Sequence, residues 1–117
     1  MEMSFLLNLQ PHICRLVEIN EMNQFRDLHD ATLTQIFLDW ASGDFSADFI
    51  VGADQQKIRI IGAGINSFSY SRDFPWGRSV SVNKCQIETK DIGVILTIQM
   101  QSGDELIGMG DSFVVSR

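Results

Sequence analysis

Between Ile92 and Val115 the chain alternates with a period of two. Ile92, Val94, Leu96, Ile98 and Met100 share one parity, and Gly93, Ile95, Thr97, Gln99 and Gln101 hold the other. Successive side chains of an extended chain point to opposite faces, so this run predicts a strand with one strongly apolar face. Ser102-Gly103, between Gln101 and Asp104, is a tight-turn sequence whose glycine tolerates positive φ. The chain then returns from Glu105 to Val115 with Ile107, Met109, Phe113 and Val115 on one parity. The expectation is an antiparallel hairpin, and its apolar face needs further strands to cover it.

Those strands can be read upstream. Ile36, Leu38 and Trp40 share one parity, with Leu33 and Phe37 on the other. Ala41-Ser42-Gly43-Asp44 is a turn sequence, after which Phe45, Ala47, Phe49 and Val51 alternate with Ser46, Asp48, Ile50 and Gly52. Ala53 to Gln56 is a polar turn, and Lys57 to Ile61 reads as a third strand with Ile58 and Ile60 inward. Short turns between consecutive strands make a meander. Gly62-Ala63-Gly64 marks a bulge or bend, beyond which Phe68 and Tyr70 can continue the strand. Val80 and Val82 lie on one parity and Cys85 and Ile87 on the other, so a one-residue bulge or a break is expected near Asn83-Lys84.

About six strands result, and no long helical period separates them, which excludes parallel βαβ units. The fold class expected is mainly β, with α+β as the variant. It is a single domain over 1–117, with an antiparallel core over 31–117 that is a meander folded into a sandwich or a partly open barrel. Residues 1–30 are expected to cover one end or edge as an extended segment or short helix. Ile13, Leu16 and Val17 fit helical spacing, while Arg15, Val17 and Ile19 fit strand alternation equally well.

Composition narrows the function classes. The 117 residues carry a formal net charge of −6, with a pI near 4.6. Nucleic-acid backbones attract clustered Lys and Arg, so this balance argues against nucleic acid, and equally against an anionic membrane surface. It favours a basic partner or simply solubility. No run of about 18 apolar residues exists to form a spanning helix. The start of the chain has Glu2 and no basic cluster, so a cytoplasmic protein with two reduced thiols, Cys14 and Cys85, is expected.

Three constellations could carry chemistry. Asp27, His29 and Asp30 cluster at the start of the β region. A metal site needs three or more convergent ligands, and only His12 adds a second imidazole, so these residues read as a structural turn: an aspartate accepts backbone N–H groups and the imidazole bonds a nearby carbonyl. Gly62-Ala63-Gly64 has neither the third glycine nor the lysine of a phosphate loop. Arg72, Asp73, Phe74, Trp76 and Arg78 are the candidate binding residues, grouped in a Pro/Gly loop. Trp76 would anchor a partner and Arg78 would donate to a carboxylate. The plainer alternative is that Phe74 and Trp76 plug the end of the β core. No nucleophile–base–orienter set is visible, so no catalytic residue, metal or cofactor is expected.

Leu28-His29-Asp30-Ala31-Thr32-Leu33 resembles the LHDA-x-L opening of small bacterial β-rich proteins, some grouped with immunity proteins of toxin systems. Trp76-Gly77-Arg78-Ser79-Val80-Ser81-Val82-Asn83 is similar to a WG-x-S-V-x-V-N stretch in such proteins. The resemblance implies a small acidic β-rich protein without catalysis that acts by binding. The function expected is therefore a non-enzymatic binding protein, immunity-like, occluding a basic partner protein. The alternative is a small-molecule-binding β domain with a pocket near loop 73–79. The oligomeric state is left open.

Overall fold

The computed structural model describes residues 23–24 and 28–117. The covering segment expected over 1–30 therefore lies outside the described residues, except for 23–24 and the turn from Leu28. The described chain is mainly β, without an α-helix. In order it forms β1 (Asn23–Gln24), β2 (Thr32–Leu38), β3 (Phe45–Val51), β4 (Gln56–Ala63), β5 (Ser67–Tyr70), β6 (Val82–Lys90), β7 (Gly93–Met100), β8 (Glu105–Gly110) and β9 (Ser112–Ser116). Every pairing is antiparallel. One sheet has the order β2-β3-β4-β9 and the other β1-β6-β7-β8-β5.

The two sheets share one core. Phe45, Ala47 and Phe49 of β3, Ile58 and Ile60 of β4, Cys85 and Ile87 of β6, and Leu96, Ile98 and Met100 of β7 are all buried in it. Burying one such Leu, Ile or Phe side chain stabilises the fold by about 1.5–3 kcal/mol, which is why the alternating runs become strands. The sheets are stitched at one corner, where Thr32 bridges Ser81 and the Leu33 amide donates to the Val80 carbonyl at 2.9 Å. No barrel closes: β2 and β5 are both edge strands of their sheets.

Among the described residues nine strands stand where about six were expected, for three physical reasons. The run Glu105–Val115 is two strands, not one. β8 pairs with β7, then the chain changes sheets at Asp111 and β9 pairs with β4. The change reverses the facing side chains, so in β8 Leu106 is buried and Ile107 exposed, opposite to the expected parity. Gly108 and Gly110 lie on the packed face. A Cβ on Gly110 would come within 2.7 Å of Ile65 Cδ1, so the crossing segment needs the space. Likewise Phe68 and Tyr70 do not prolong β4. The bend at 62–66 carries the chain to the other sheet, where β5 pairs with β8. β1 is the third addition, paired with β6.

Two bulges set the remaining parities. The shift between Val82 and Lys84 is the irregularity expected near Asn83-Lys84, and it brings both Val82 and Cys85 into the core. A second shift, between Leu33 and Gln35, has no signal in the sequence pattern. It allows Leu33 and Ile36, three residues apart, both to pack against the core instead of on opposite faces.

Candidate functional site

The loop between β5 and β6 is held by a carboxylate that sequence reasoning does not single out. Asp104, at the end of the β7–β8 turn, is buried. Its Oδ1 accepts the Ser71 hydroxyl at 3.0 Å and the Asp73 amide at 2.7 Å. Its Oδ2 accepts the Phe74 amide at 3.0 Å and the Ser102 hydroxyl at 2.7 Å. Burial pushes the Asp104 pKa up, but the bonds from Ser102, Asp73, Phe74 and Ser71 outweigh it and hold the carboxyl below its ordinary value. Asp104 is thus an ionised anchor with both oxygens occupied, a poor candidate for proton transfer.

The loop is further fixed at its tip. The Trp76 amide donates to the Ser102 carbonyl at 2.9 Å and the Gly77 amide to the Phe74 carbonyl at 3.0 Å. Gly103 of the turn has φ +92°, and a Cβ there would stand 2.8 Å from both Trp76 Cδ2 and Pro75 Cγ. The indole therefore lies on bare backbone, a contact any other residue would block. Trp76 nevertheless remains 70% exposed. It does not plug the core.

Phe74 is the hub of the loop side chains. It adopts φ +51°, a left-handed conformation that costs a non-glycine residue about 1–2 kcal/mol and that the Asp104 bonds hold in place. The guanidinium carbons of Arg72 and Arg78 each lie 4.8 Å from its ring centre. Such cation–π contacts are worth about 0.5–1 kcal/mol each at exposed sites. Both arginines are exposed, and neither pairs with a carboxylate among the described residues.

Beneath the loop, between the edge strands β2 and β5, is a cleft of about 430 Å³. Its walls include Leu33 and Ile36 from one sheet, Phe68 and Tyr70 from the other, and Arg72 and Phe74 from the loop. Of the five expected binding residues, Arg72 and Phe74 line the cleft, while Asp73, Trp76 and Arg78 stand outside its walls. Tyr70, 63% exposed, joins the site unforeseen, because its alternation with Phe68 looks like core.

His29 and Asp30 lie in a turn ahead of β2, where the expected aspartate-to-backbone bonding is replaced at Asp30 by a side-chain partner. His29 Nδ1 is 2.8 Å from the Asn83 carbonyl oxygen and donates to it in the tautomer that bond requires. The Asp30 carboxylate accepts the Gln101 side-chain amide, and the Asp30 backbone lies at φ +68°. Asp27 lies outside the described residues. Among the described residues no three His, Cys, Asp or Glu side chains converge as metal ligands. No helix there is long and apolar enough to cross a membrane. Cys85 is a buried thiol whose pKa burial pushes up to about 12, far from a reactive thiolate.

No family model matches the chain, and no curated protein is significantly similar to it. Among solved structures, it is similar in fold to one described as the crystal structure of an uncharacterized protein from Neisseria gonorrhoeae, with a TM-score of 0.65 and 10% sequence identity. The likeness covers 82% of this chain and 97% of that one, and at this identity it shows a shared two-sheet fold.

Proposed function

We propose that the protein is a non-enzymatic binding domain that docks a partner protein on loop 71–78 and occludes it, in the manner of an immunity-type inhibitor. One observation carries this reading. The loop is rigidly held by Asp104 and Ser102, yet it offers Trp76 and two carboxylate-free arginines to solvent. Preorganised aromatic and arginine side chains lose little entropy on binding and make strong anchors. The net charge of −6 would steer a basic partner from a distance, while Arg72 and Arg78 would set the register by pairing with individual carboxylates on it. Such a protein would act in the cytoplasm, beside its target.

The test is a calorimetric titration with whichever strongly basic protein the neighbouring genes prove to encode, and a neighbourhood that encodes none would count against this reading. Trp76→Ala should weaken binding by at least tenfold and leave the melting temperature nearly unchanged. A large fall in melting temperature with intact affinity would return Trp76 to a structural role.

The cleft favours a second reading, a small-molecule site. Its size falls within the range of about 300–1,000 Å³ typical of ligand pockets, and Arg72 offers an anion partner above an apolar floor of Phe68, Met100 and Leu106. A thermal shift with small apolar carboxylates, lost in Arg72→Ala but kept in Trp76→Ala, would select this reading over docking.

A further inference from the structure

Edge strand β2 lacks the protections that edges ordinarily carry. Its sequence, Thr-Leu-Thr-Gln-Ile-Phe-Leu, has no charge, proline or glycine. Exposed edges of this kind are templates for pairing, and proteins blunt them with charges, prolines or brevity. The three other edges are managed: β1 is two residues long, β5 is four, and in β9 Phe113, Val114 and Val115 are all buried. β2 instead exposes Phe37 (52%) and Leu38, followed by Trp40 (94%).

The direction of its backbone groups can be worked out. The Asp39 amide donates to the Asp44 carbonyl at 2.8 Å, so Asp39 turns its hydrogen-bonding groups toward β3. Alternation along an antiparallel pair then turns those of Phe37 and Gln35 the same way, and leaves those of Ile36 and Leu38 pointing outward. Leu33 also points outward, but its amide is taken by Val80. Among the described residues, the free edge is therefore Gln35–Leu38.

We infer that this edge pairs with the same edge of a second copy of the chain, about a two-fold axis at Phe37. In that register Ile36 of one copy lies opposite Leu38 of the other, and their outward N–H and C=O groups satisfy each other. Phe37 faces its own counterpart as a non-hydrogen-bonded pair, where side chains approach most closely. Gln35 comes opposite Asp39, whose Oδ1 accepts the Ala41 and Ser42 amides while Oδ2 has no partner among the described residues. The strand is thus its own complement. Two copies of net charge −6 repel over most of their surface, and an uncharged edge lets them meet without opposing like charges. The result is one eight-stranded sheet running through both copies. The inference is independent of what loop 71–78 binds.

Light scattering after size-exclusion chromatography should show a concentration-dependent dimer. Phe37→Lys, which places two ammonium groups on the axis, should shift the midpoint to at least tenfold higher concentration. Ile107→Lys, on the exposed face of the other sheet, should leave it unchanged. Phe37→Cys in a Cys14→Ser background should oxidise to a disulfide-linked dimer, and this variant gives the answer if Phe37→Lys fails to fold. A monomer at all concentrations up to about 1 mM would overturn the inference, as would a dimer indifferent to Phe37→Lys or without the Phe37→Cys cross-link.

Discussion

The Phe74 amide donates to Asp104 Oδ2 at 3.0 Å across thirty residues of sequence, and this bond fixes a non-glycine residue at φ +51°. The turn of one hairpin thereby sets the shape of a loop belonging to another part of the chain. Asp104→Asn keeps the size of the side chain but puts an NH2 group where an oxygen accepts two donors. Because the Asp73 and Phe74 amides use different oxygens, at least one of them should then lose hydrogen-exchange protection, while those of Leu96 and Ile98 in the core keep theirs. Equal protection at Asp73 and Phe74 in both proteins would show that the loop does not depend on the carboxylate.

The same anchor makes stability depend on acid. The folded Asp104 carboxyl titrates below the ordinary 3.8, so the unfolded chain binds its proton first as pH falls. Its contribution is full above the unfolded value and disappears as pH drops through the folded one. Urea midpoints should therefore decline below about pH 4 more steeply in the wild type than in Asp104→Asn. Parallel declines would assign the acid sensitivity to other carboxylates.

Gly103 provides a separate handle on the indole. Gly103→Ala forces a side chain into the left-handed region, at a cost of about 1–2 kcal/mol, and pushes its Cβ against Trp76 and Pro75. Chemical denaturation should show at least that loss. Because Trp76 loses its backing, native tryptophan fluorescence should also shift toward the red. A destabilised variant with an unchanged emission maximum would mean that the indole does not rest on the turn.

Which of these relationships a sequence can reveal follows from their range. The alternation in β3, β4 and β7 is legible because burial of Phe45, Ile60 and Ile98 acts through a local period of two. The bulge before Lys84 is legible because apolar parity changes within one strand. The sheet change at Asp111 is not. Glycines at 108 and 110 remove the side chains whose parity would have marked it, and Ile107 and Met109 present a false apolar face. Asp104 is hidden for a related reason: an aspartate after Ser-Gly suits an ordinary turn, and its partners Ser71, Asp73 and Phe74 come from a distant segment. Loop 71–78 is recognisable by composition, whereas Tyr70 can be assigned to the cleft only once β5 is known to be an edge.

Phe45 of β3 meets Phe68 of the other sheet and Phe113 of its own sheet in the shared core. It is buried, 5.5 Å from the Phe68 ring and 5.8 Å from the Phe113 ring, edge-on to the latter. Phe45→Ala removes both contacts and leaves a cavity between sheets, which should cost about 3–5 kcal/mol. Phe45→Leu retains most of the volume and should cost considerably less. Urea denaturation of both variants checks the order. Near-equal losses would mean that ring–ring geometry stabilises the junction more than filled space does.

Cys85 tests whether the core opens as a whole. Its thiol is fully buried and its pKa is pushed up to about 12 by burial, so at neutral pH it is both inaccessible and protonated. In a Cys14→Ser background, a disulfide reagent in excess should label Cys85 no faster than the protein unfolds. The labelling rate should rise with urea in step with global unfolding. Rapid labelling in native buffer, with the melting temperature unchanged, would mean that β6 separates locally from β7 and that the sheet carrying the Asp104 anchor is less rigid than a preorganised loop requires.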